Sequence, residues 1–203
     1  MIKKVDLAGS WEFTMDKEKT GIERKLYSMS FSDTIPLPGT ISQAKKGTPS
    51  DKREIGFLTD PYLYEGYAWY AKNISLEEND LNKVLKLYLE RTRLSKVWID
   101  DTFVGEFDSL NTPHLYDLTE YITKREFRLT LLIANVDYPT GGGHLTSPDT
   151  QTNWNGIIGE ISLRIYEPYY LTNLKTFPDT GNKSVLVTYD TYNTTGTEKN
   201  ASL

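Results

Sequence analysis

The sequence lacks cysteine altogether and has only two histidines among its 203 residues. Without cysteine the chain can form no disulfide and offers no thiolate ligand to a metal ion. The two histidines, His114 and His144, lie far apart in the sequence, which argues against a histidine-rich metal site. We therefore predict no cofactor for this chain.

Excess positive charge and long apolar runs are also missing. Lysine and arginine together number 23 against 28 acidic residues, which gives a formal net charge of −5. A nucleic-acid partner requires a clustered basic surface, and the sequence contains no basic run. No stretch reaches the length of a transmembrane helix, and the N-terminal residues lack the apolar centre of an export signal. We expect neither a nucleic-acid partner nor a membrane partner.

What the chain has in abundance is aromatic side chains, which make up 12% of its residues. Aromatic residues favour β-sheet, and they also provide surfaces on which sugars can stack. The leucines at positions 85, 87 and 89 alternate with more polar residues, as in a strand with one buried face. Residues 97–99 and 103–105 are further β-rich runs separated by Asp100-Asp101-Thr102, where short aspartate side chains favour a turn. These patterns predict the centre of an antiparallel β-sandwich.

Five segments follow one another along the chain: LAGSWEF at residues 7–13, LPGT at 37–40, GYAWY at 66–70, the block from 97–105 through 117–119 to 129–135, and the TNWNGIIGEISL run at 152–163. In this order they resemble the N-terminal sugar-binding jelly roll of the glycoside hydrolase family that contains β-galactosidase, β-glucuronidase and β-mannosidase (family 2). The resemblance covers residues 7–167 well and 168–203 loosely.

The resemblance implies an all-β fold with two parts. Residues 1–168 are expected to form a jelly-roll (galactose-binding-like) antiparallel β-sandwich, and Glu167-Pro168 ends its last strand. Residues 169–203 are expected to be the first strands of a truncated immunoglobulin-like β-sandwich, because a complete one takes roughly 100 residues. Sandwiches of this kind can hold a structural calcium or sodium ion, but no acidic cluster predicts one here.

The same resemblance implies where a sugar would be contacted. In relatives, polar residues just before an aromatic residue line the mouth of the active site, and the loop before the WY strand reaches the same pocket. The matching positions make the predicted substrate-binding residues Asp149, Gln151, Thr152, Asn153, Trp154 and Tyr64. Asn153 and Asn155 have an alternative role, since short amide side chains also satisfy the backbone of turns.

No catalytic residue is predicted within this chain. The family carries its two catalytic glutamates on a (β/α)8 barrel, and the sequence shows no alternation of strands and helices that would indicate one. The resemblance implies a non-catalytic N-terminal module of a larger retaining exo-β-glycosidase, similar to β-galactosidase, that shapes the mouth of the active site. Its expected partners are carbohydrate and the remaining domains of that glycosidase.

Two alternatives from other functional classes stay open. An autonomous carbohydrate-binding module would display Trp69, Trp98 or Trp154 on a flat stacking surface, and jelly rolls serve that role widely. A purely structural module would hold a homo-oligomer together and would be indifferent to sugars.

Overall fold

The fold is built almost entirely from short antiparallel strands. The computed structural model describes residues 2–53, 55, 59–139 and 152–198. The strands, in chain order, are β1 (Lys3–Asp6), β2 (Gly9–Asp16), β3 (Asp33–Leu37), β4 (Gly39–Thr40), β5 (Thr48–Pro49), β6 (Tyr62–Leu63), β7 (Tyr67–Ser75), β8 (Val84–Leu89), β9 (Leu94–Ile99), β10 (Thr102–Phe107), β11 (His114–Asp117), β12 (Glu126–Ala134), β13 (Gly156–Ile157), β14 (Ile161–Tyr166), β15 (Tyr169–Asp179) and β16 (Ser184–Asn193). Two single-turn 3-10 helices, Leu26–Ser28 and Glu78–Asp80, complete the elements. No helix in the described part of the chain is long and apolar enough to cross a membrane.

Two sheets form the sandwich. One has four strands in the order β1-β14-β8-β11, and the other has six in the order β10-β9-β12-β7-β2-β3. Every pairing within them is antiparallel. The pairs β13-β4, β5-β6 and β15-β16 form three separate two-stranded sheets among the described strands. The predicted all-β antiparallel sandwich is confirmed.

The alternating leucines of β8 are buried between the two sheets, as their period predicts. Leu85, Leu87 and Leu89 belong to the same apolar cluster as Leu131 and Ile133 of β12 in the facing sheet. Burying a large aliphatic side chain stabilises the folded state by about 1.5–3 kcal/mol, so this inter-sheet layer is the main source of stability. The hairpin predicted around Asp100 is also confirmed, since β9 and β10 pair directly and Asp100 has a left-handed φ of 49°.

One polar link crosses the apolar layer. The Ser95 hydroxyl on β9 lies 2.6 Å from Nδ1 of His114 and 2.7 Å from the Tyr116 hydroxyl, and both of these residues belong to β11. The Tyr116 hydroxyl donates to the Ser95 carbonyl at 2.9 Å, and the His114 Nε2 lies 2.7 Å from the Ser109 carbonyl. Each of these buried polar groups therefore has a partner, and the bonds tie β9, the second strand of the six-stranded sheet, to the edge strand β11 of the other sheet.

A second apolar cluster lies on the outer face of the six-stranded sheet. It contains Trp69, Trp98 and Leu132, and Leu26 packs on it from the 3-10 helix that follows β2. The Trp69 indole donates to the buried carboxylate of Asp16 at 3.1 Å. Trp69 is 0% exposed and Trp98 is 4% exposed. Neither tryptophan therefore lies on the exposed stacking surface that an autonomous carbohydrate-binding module would need.

The β15–β16 hairpin pairs only with itself among the described strands. Its base is held to the four-stranded sheet by a group of aromatic rings around one cation. The Lys86 ammonium lies 5.9, 5.8 and 5.2 Å from the ring centres of Tyr166, Tyr170 and Tyr192. Tyr170 also packs on the other two rings, at centre distances of 4.7 and 5.1 Å.

Candidate functional site

The candidate site lies at the end of the sandwich where β7 begins and β12 ends. In the register of the six-stranded sheet, Ala134 faces Tyr67 on one side and Leu94 on the other. The segments that adjoin these strand ends are therefore brought together, because antiparallel neighbours place the start of one strand beside the end of the next. Residues 64–66, 93, 135–138 and 152–155 meet there.

Asn135, directly after β12, forms hydrogen bonds to two of the segments that meet at this end. The residue is 1% exposed. Its side-chain amide donates to the Tyr64 carbonyl at 2.8 Å and to the Asn153 carbonyl at 2.6 Å, while its side-chain oxygen accepts from the Gly66 backbone at 3.0 Å. One side chain thus fixes two loops to the central strand of the sheet.

Two further asparagines complete what we call the asparagine cluster, Asn135, Asn153 and Asn155. The Asn155 amide donates to the Gly66 carbonyl at 3.1 Å and to the Ile133 carbonyl at 3.2 Å. Asn153 donates to the Asn135 carbonyl at 3.0 Å. Asn153 and Asn155 thus bond to backbone carbonyls, but these belong to neighbouring segments rather than to their own turn as expected.

Asn153 also faces the outer edge of the site. Its amide donates to the exposed Glu65 carboxylate at 3.2 Å, while its side-chain oxygen is buried without a hydrogen-bond partner. The buried Tyr138 hydroxyl interacts with the Arg93 side chain, but it forms no hydrogen bond of good geometry. Burial raises the pKa of Tyr138 to about 12, so this phenol is a neutral potential donor at physiological pH.

The close approach of these segments depends on glycine at position 156. Gly156 opens β13 with a φ of +146°, and a Cβ atom built there would lie 2.2 Å from the Gly39 carbonyl oxygen. The first glycine of the TNWNGIIGEISL run thus has a steric reason. Only glycine lets β13 lie against β4 and places Asn155 within the cluster.

Arg93 contacts residues 152 and 154 of this end of the sandwich. Its side chain donates through Nε to the Trp154 carbonyl at 3.2 Å and through Nη2 to the Thr152 carbonyl at 3.4 Å. The guanidinium carbon also lies 4.1 Å from the centre of the Trp154 ring. Burial lowers the pKa of Arg93, but an arginine with so high an ordinary pKa stays charged.

The Tyr64 hydroxyl forms its hydrogen bonds within the protein. The hydroxyl donates to the Tyr67 carbonyl and accepts from the Asp16 backbone at 3.0 Å. Burial raises the pKa of Tyr64 to about 12. Any contact between Tyr64 and a sugar would therefore involve its ring or its backbone rather than a free hydroxyl.

The described members of the predicted substrate set do come together. Tyr64, Thr152, Asn153 and Trp154 all lie at this end, whereas Asp149 and Gln151 fall outside the described residues. Their contact with a sugar stays a prediction. No group of three or more acidic or histidine side chains among the described residues is arranged to hold a metal ion.

Sequence reasoning missed Arg93 and Asn135. Arg93 lies outside the family-like segments, and Asn135 is the last residue of one of them but was not assigned a role in the site. The available signals were weak ones: a polar residue directly after the longest apolar strand, and a second arginine in the Arg91-Thr92-Arg93 connection.

Among the described residues, the acidic side chain that hydrogen-bonds to the asparagine cluster is that of Glu65. What the site can supply to a ligand is an indole ring, amide groups and one buried phenol.

Comparison with known families identifies what this sandwich is. The model of the family described as "Glycosyl hydrolases family 2, sugar binding domain" matches residues 2–166. The chain belongs to glycosyl hydrolase family 2. The resemblance drawn from the sequence motifs is thereby confirmed.

Individual relatives agree with the family assignment. A β-galactosidase of Thermoanaerobacter pseudethanolicus is 32% identical over 75 residues, which are 36% of this chain and 10% of that protein. A β-glucuronidase structure from an uncultured Clostridium sp. superposes with a TM-score of 0.68 at 20% identity, covering 94% of this chain and 33% of that one. The Ruminococcus gnavus β-glucuronidase gives a TM-score of 0.71 at 16% identity, with 96% and 34% coverage. The structural matches share the fold, and this chain spans about a third of their length.

Proposed function

We propose that this chain acts as the non-catalytic N-terminal module of a larger retaining exo-β-glycosidase. In this proposal the sandwich end that carries the asparagine cluster borders the mouth of the active site and shapes the pocket for the terminal sugar. Proton transfer and nucleophilic attack are the task of glutamates elsewhere in the enzyme, and this module contributes positioning.

The main support for the proposal is that β-glucuronidase structures match nearly all of this chain, whereas this chain covers only about a third of theirs. The sugar-binding family model takes in residues 2–166, and β-glucuronidase structures match 94–96% of this chain while the chain covers only 33–34% of theirs. A module that corresponds to one third of a glycosidase is expected to work together with the rest of one. Its partners are then carbohydrate and the other domains of the enzyme.

The geometry of the candidate site supports the same role. Segments 64–66 and 152–155, which the family resemblance assigns to the pocket, are fastened to each other through Asn135. A loop fixed in this way costs less entropy to hold against a substrate than a loop that must order on binding.

We also propose a two-part organisation, with the jelly roll at residues 1–168 and the first immunoglobulin-like strands at 169–203. Two observations favour it. The hairpin β15–β16 pairs only with itself among the described strands, and the large apolar side chains Leu174 and Leu186 on it are 61% and 62% exposed. Such side chains are normally covered in a finished domain.

The first test is the mass of the native polypeptide, measured by blotting a source extract with an antibody raised against this chain. A band several times heavier than 23.2 kDa is expected, and the immunopurified protein should hydrolyse aryl β-glycosides. The matched control is the recombinant 203-residue chain, which should show no hydrolysis under the same conditions. A native band at 23.2 kDa would overturn the proposal.

The autonomous binding module makes an opposite prediction for the isolated chain. It requires measurable sugar affinity without any other domain, whereas the proposed role requires only feeble affinity. The burial of Trp69 and Trp98 removes two of the three rings that such a module would have used. Calorimetric titration of the isolated chain with β-linked galactosides and glucuronides separates the two.

A further inference from the structure

Arg93 is an unusual side chain for its position. It immediately precedes β9 and is only 2% exposed, although it carries a full charge. Removing a charged group from water costs several kcal/mol in proteins unless fixed partners replace the water, so a buried arginine indicates a specific set of contacts.

Two of those contacts go to one short segment. Nε and Nη2 of Arg93 donate to the carbonyls of Trp154 and Thr152, which are two residues apart. The guanidinium is a rigid planar fork, so bonding at two points fixes both the position and the orientation of the segment. A lysine, with a single ammonium on a flexible stem, could not reproduce this geometry.

The third contact fixes the side chain of the same segment. The guanidinium carbon lies 4.1 Å from the centre of the Trp154 ring, within the range of a cation–π interaction. One face of the indole is therefore occupied by Arg93. Trp154 as a whole is only half-buried, so part of its surface remains for contact with a ligand.

We propose that Arg93 is a positioning residue that holds the 152–154 segment and orients the half-buried Trp154 ring toward the apolar C–H face of a terminal pyranoside. This inference rests on the function proposed above and extends it by naming the contact. Arg93 acts through Trp154 and does not itself touch the sugar, because its guanidinium is buried beneath the ring.

The test uses the 203-residue chain and the indole N–H resonance of Trp154, which is assigned by its absence from the spectrum of Trp154→Phe. Arg93→Met keeps an unbranched side chain but removes the guanidinium, and Arg93→Lys keeps the charge but removes the fork. Both variants should move the Trp154 resonance and raise amide exchange at residues 152–155 by roughly tenfold, equivalent to ~1.4 kcal/mol. The matched control is Arg91→Met, an exposed arginine of the same connection, which should change neither.

Global unfolding is separated from local displacement by two other tryptophans. The indoles of Trp11 and Trp69 donate to the Leu7 carbonyl and to Asp16, so their resonances report an intact core. If neither variant folds, the wild-type protein still decides the point through nuclear Overhauser effects between the Arg93 side chain and the Trp154 ring protons. Their absence, or an unmoved Trp154 resonance in folded variants, would overturn the proposal.

The contact between Trp154 and the sugar is tested by a separate experiment. In the full-length enzyme, Arg93→Met should raise the KM for aryl β-pyranosides about fivefold, equivalent to ~1 kcal/mol, and should change kcat little. A displaced Trp154 with an unchanged KM would refute the link between positioning and sugar contact. The exchange data on the 203-residue chain would still decide the positioning role, and hydrolysis by the wild-type enzyme tests the proposed function separately.

Discussion

Asn135 and Asn153 are bonded reciprocally, each through its side-chain amide to the main-chain carbonyl of the other. The distances are 2.6 Å from Asn135 to the Asn153 carbonyl and 3.0 Å from Asn153 to the Asn135 carbonyl. The pair joins the end of the central strand β12 to the segment before β13. Fixed backbone at this end of the sandwich therefore depends on two amide side chains rather than on sheet pairing.

Replacing Asn135 with alanine should destabilise the protein strongly. The substitution leaves the Tyr64 and Asn153 carbonyls and the Gly66 amide without their buried partner. Because each buried group left unsatisfied costs about 1–3 kcal/mol, a loss of ~3 kcal/mol in the free energy of unfolding is expected. Urea denaturation measures it, with the exposed Asn73→Ala on β7 as the control that should change little. Equal midpoints for the two variants would contradict the role assigned to Asn135.

Gly156→Ala should be more disruptive than an ordinary glycine substitution. The new Cβ would lie 2.2 Å from the Gly39 carbonyl oxygen, in a backbone conformation with φ of +146°. Backbone strain of this kind costs about 1–3 kcal/mol before the clash is counted. Gly105→Ala is the matched control, since its Cβ would meet nothing nearer than 3.9 Å. Thermal unfolding of both variants should show a large loss for the first and a small change for the second.

Stability should fall as the pH drops below about 6.5, through His114. Burial lowers the pKa of this histidine from its ordinary value of 6.5, so the folded protein favours the neutral ring. The unfolded chain then takes up a proton at higher pH than the folded protein does. The contribution is complete above pH 6.5 and is lost as the pH falls toward the folded pKa.

The free energy of unfolding of the wild type and of His114→Gln, measured at several pH values between about 7.5 and 5, tests this linkage. The wild type should lose stability across that window. The variant should be less stable at neutral pH but should show a flatter dependence. Two parallel curves would mean that His114 does not titrate as its burial implies.

Lys86→Met should loosen the β15–β16 hairpin without unfolding the sandwich. The largely buried Lys86 ammonium interacts with the rings of Tyr166, Tyr170 and Tyr192, and a cation–π contact stabilises by at least about 0.5–1 kcal/mol. Amide exchange across β15 and β16 should therefore rise about two- to fivefold, and exchange in β12 should stay unchanged. The control is Lys175→Met on the exposed part of the hairpin. Equal exchange in the two variants would show that the tyrosines alone hold the hairpin.

The features that could be predicted from the sequence depend on residues close together in the chain. The site residues that could not be predicted depend on residues far apart in the chain. The leucines of β8 and the Asp100 hairpin are specified by residues close in sequence, so their period and turn chemistry could be read directly. Arg93 and Asn135 bond to carbonyls 61 and 18 residues away, and no local pattern records such a partner.

The tryptophans show most plainly where local rules end. Alternation along β7 assigns Trp69 to one face and Tyr70 to the other, and the structure confirms that the two belong to different apolar clusters. The period cannot say whether the outer face of a sheet meets water or another segment. Here the stretch after β2 folds back and places Leu26 on Trp69 and Trp98.

The sequence by itself determined the all-β class, the strand periods, the tight turns and the family, because these depend on short-range patterns and on ordered motifs. Only the tertiary structure decided which aromatic rings stay accessible and which polar side chains join the loops. Those outcomes depend on which distant segments meet at one end of the sandwich. Whether a side chain is buried, and which buried hydrogen bonds it makes, depends on the contact between those segments rather than on any single stretch of chain.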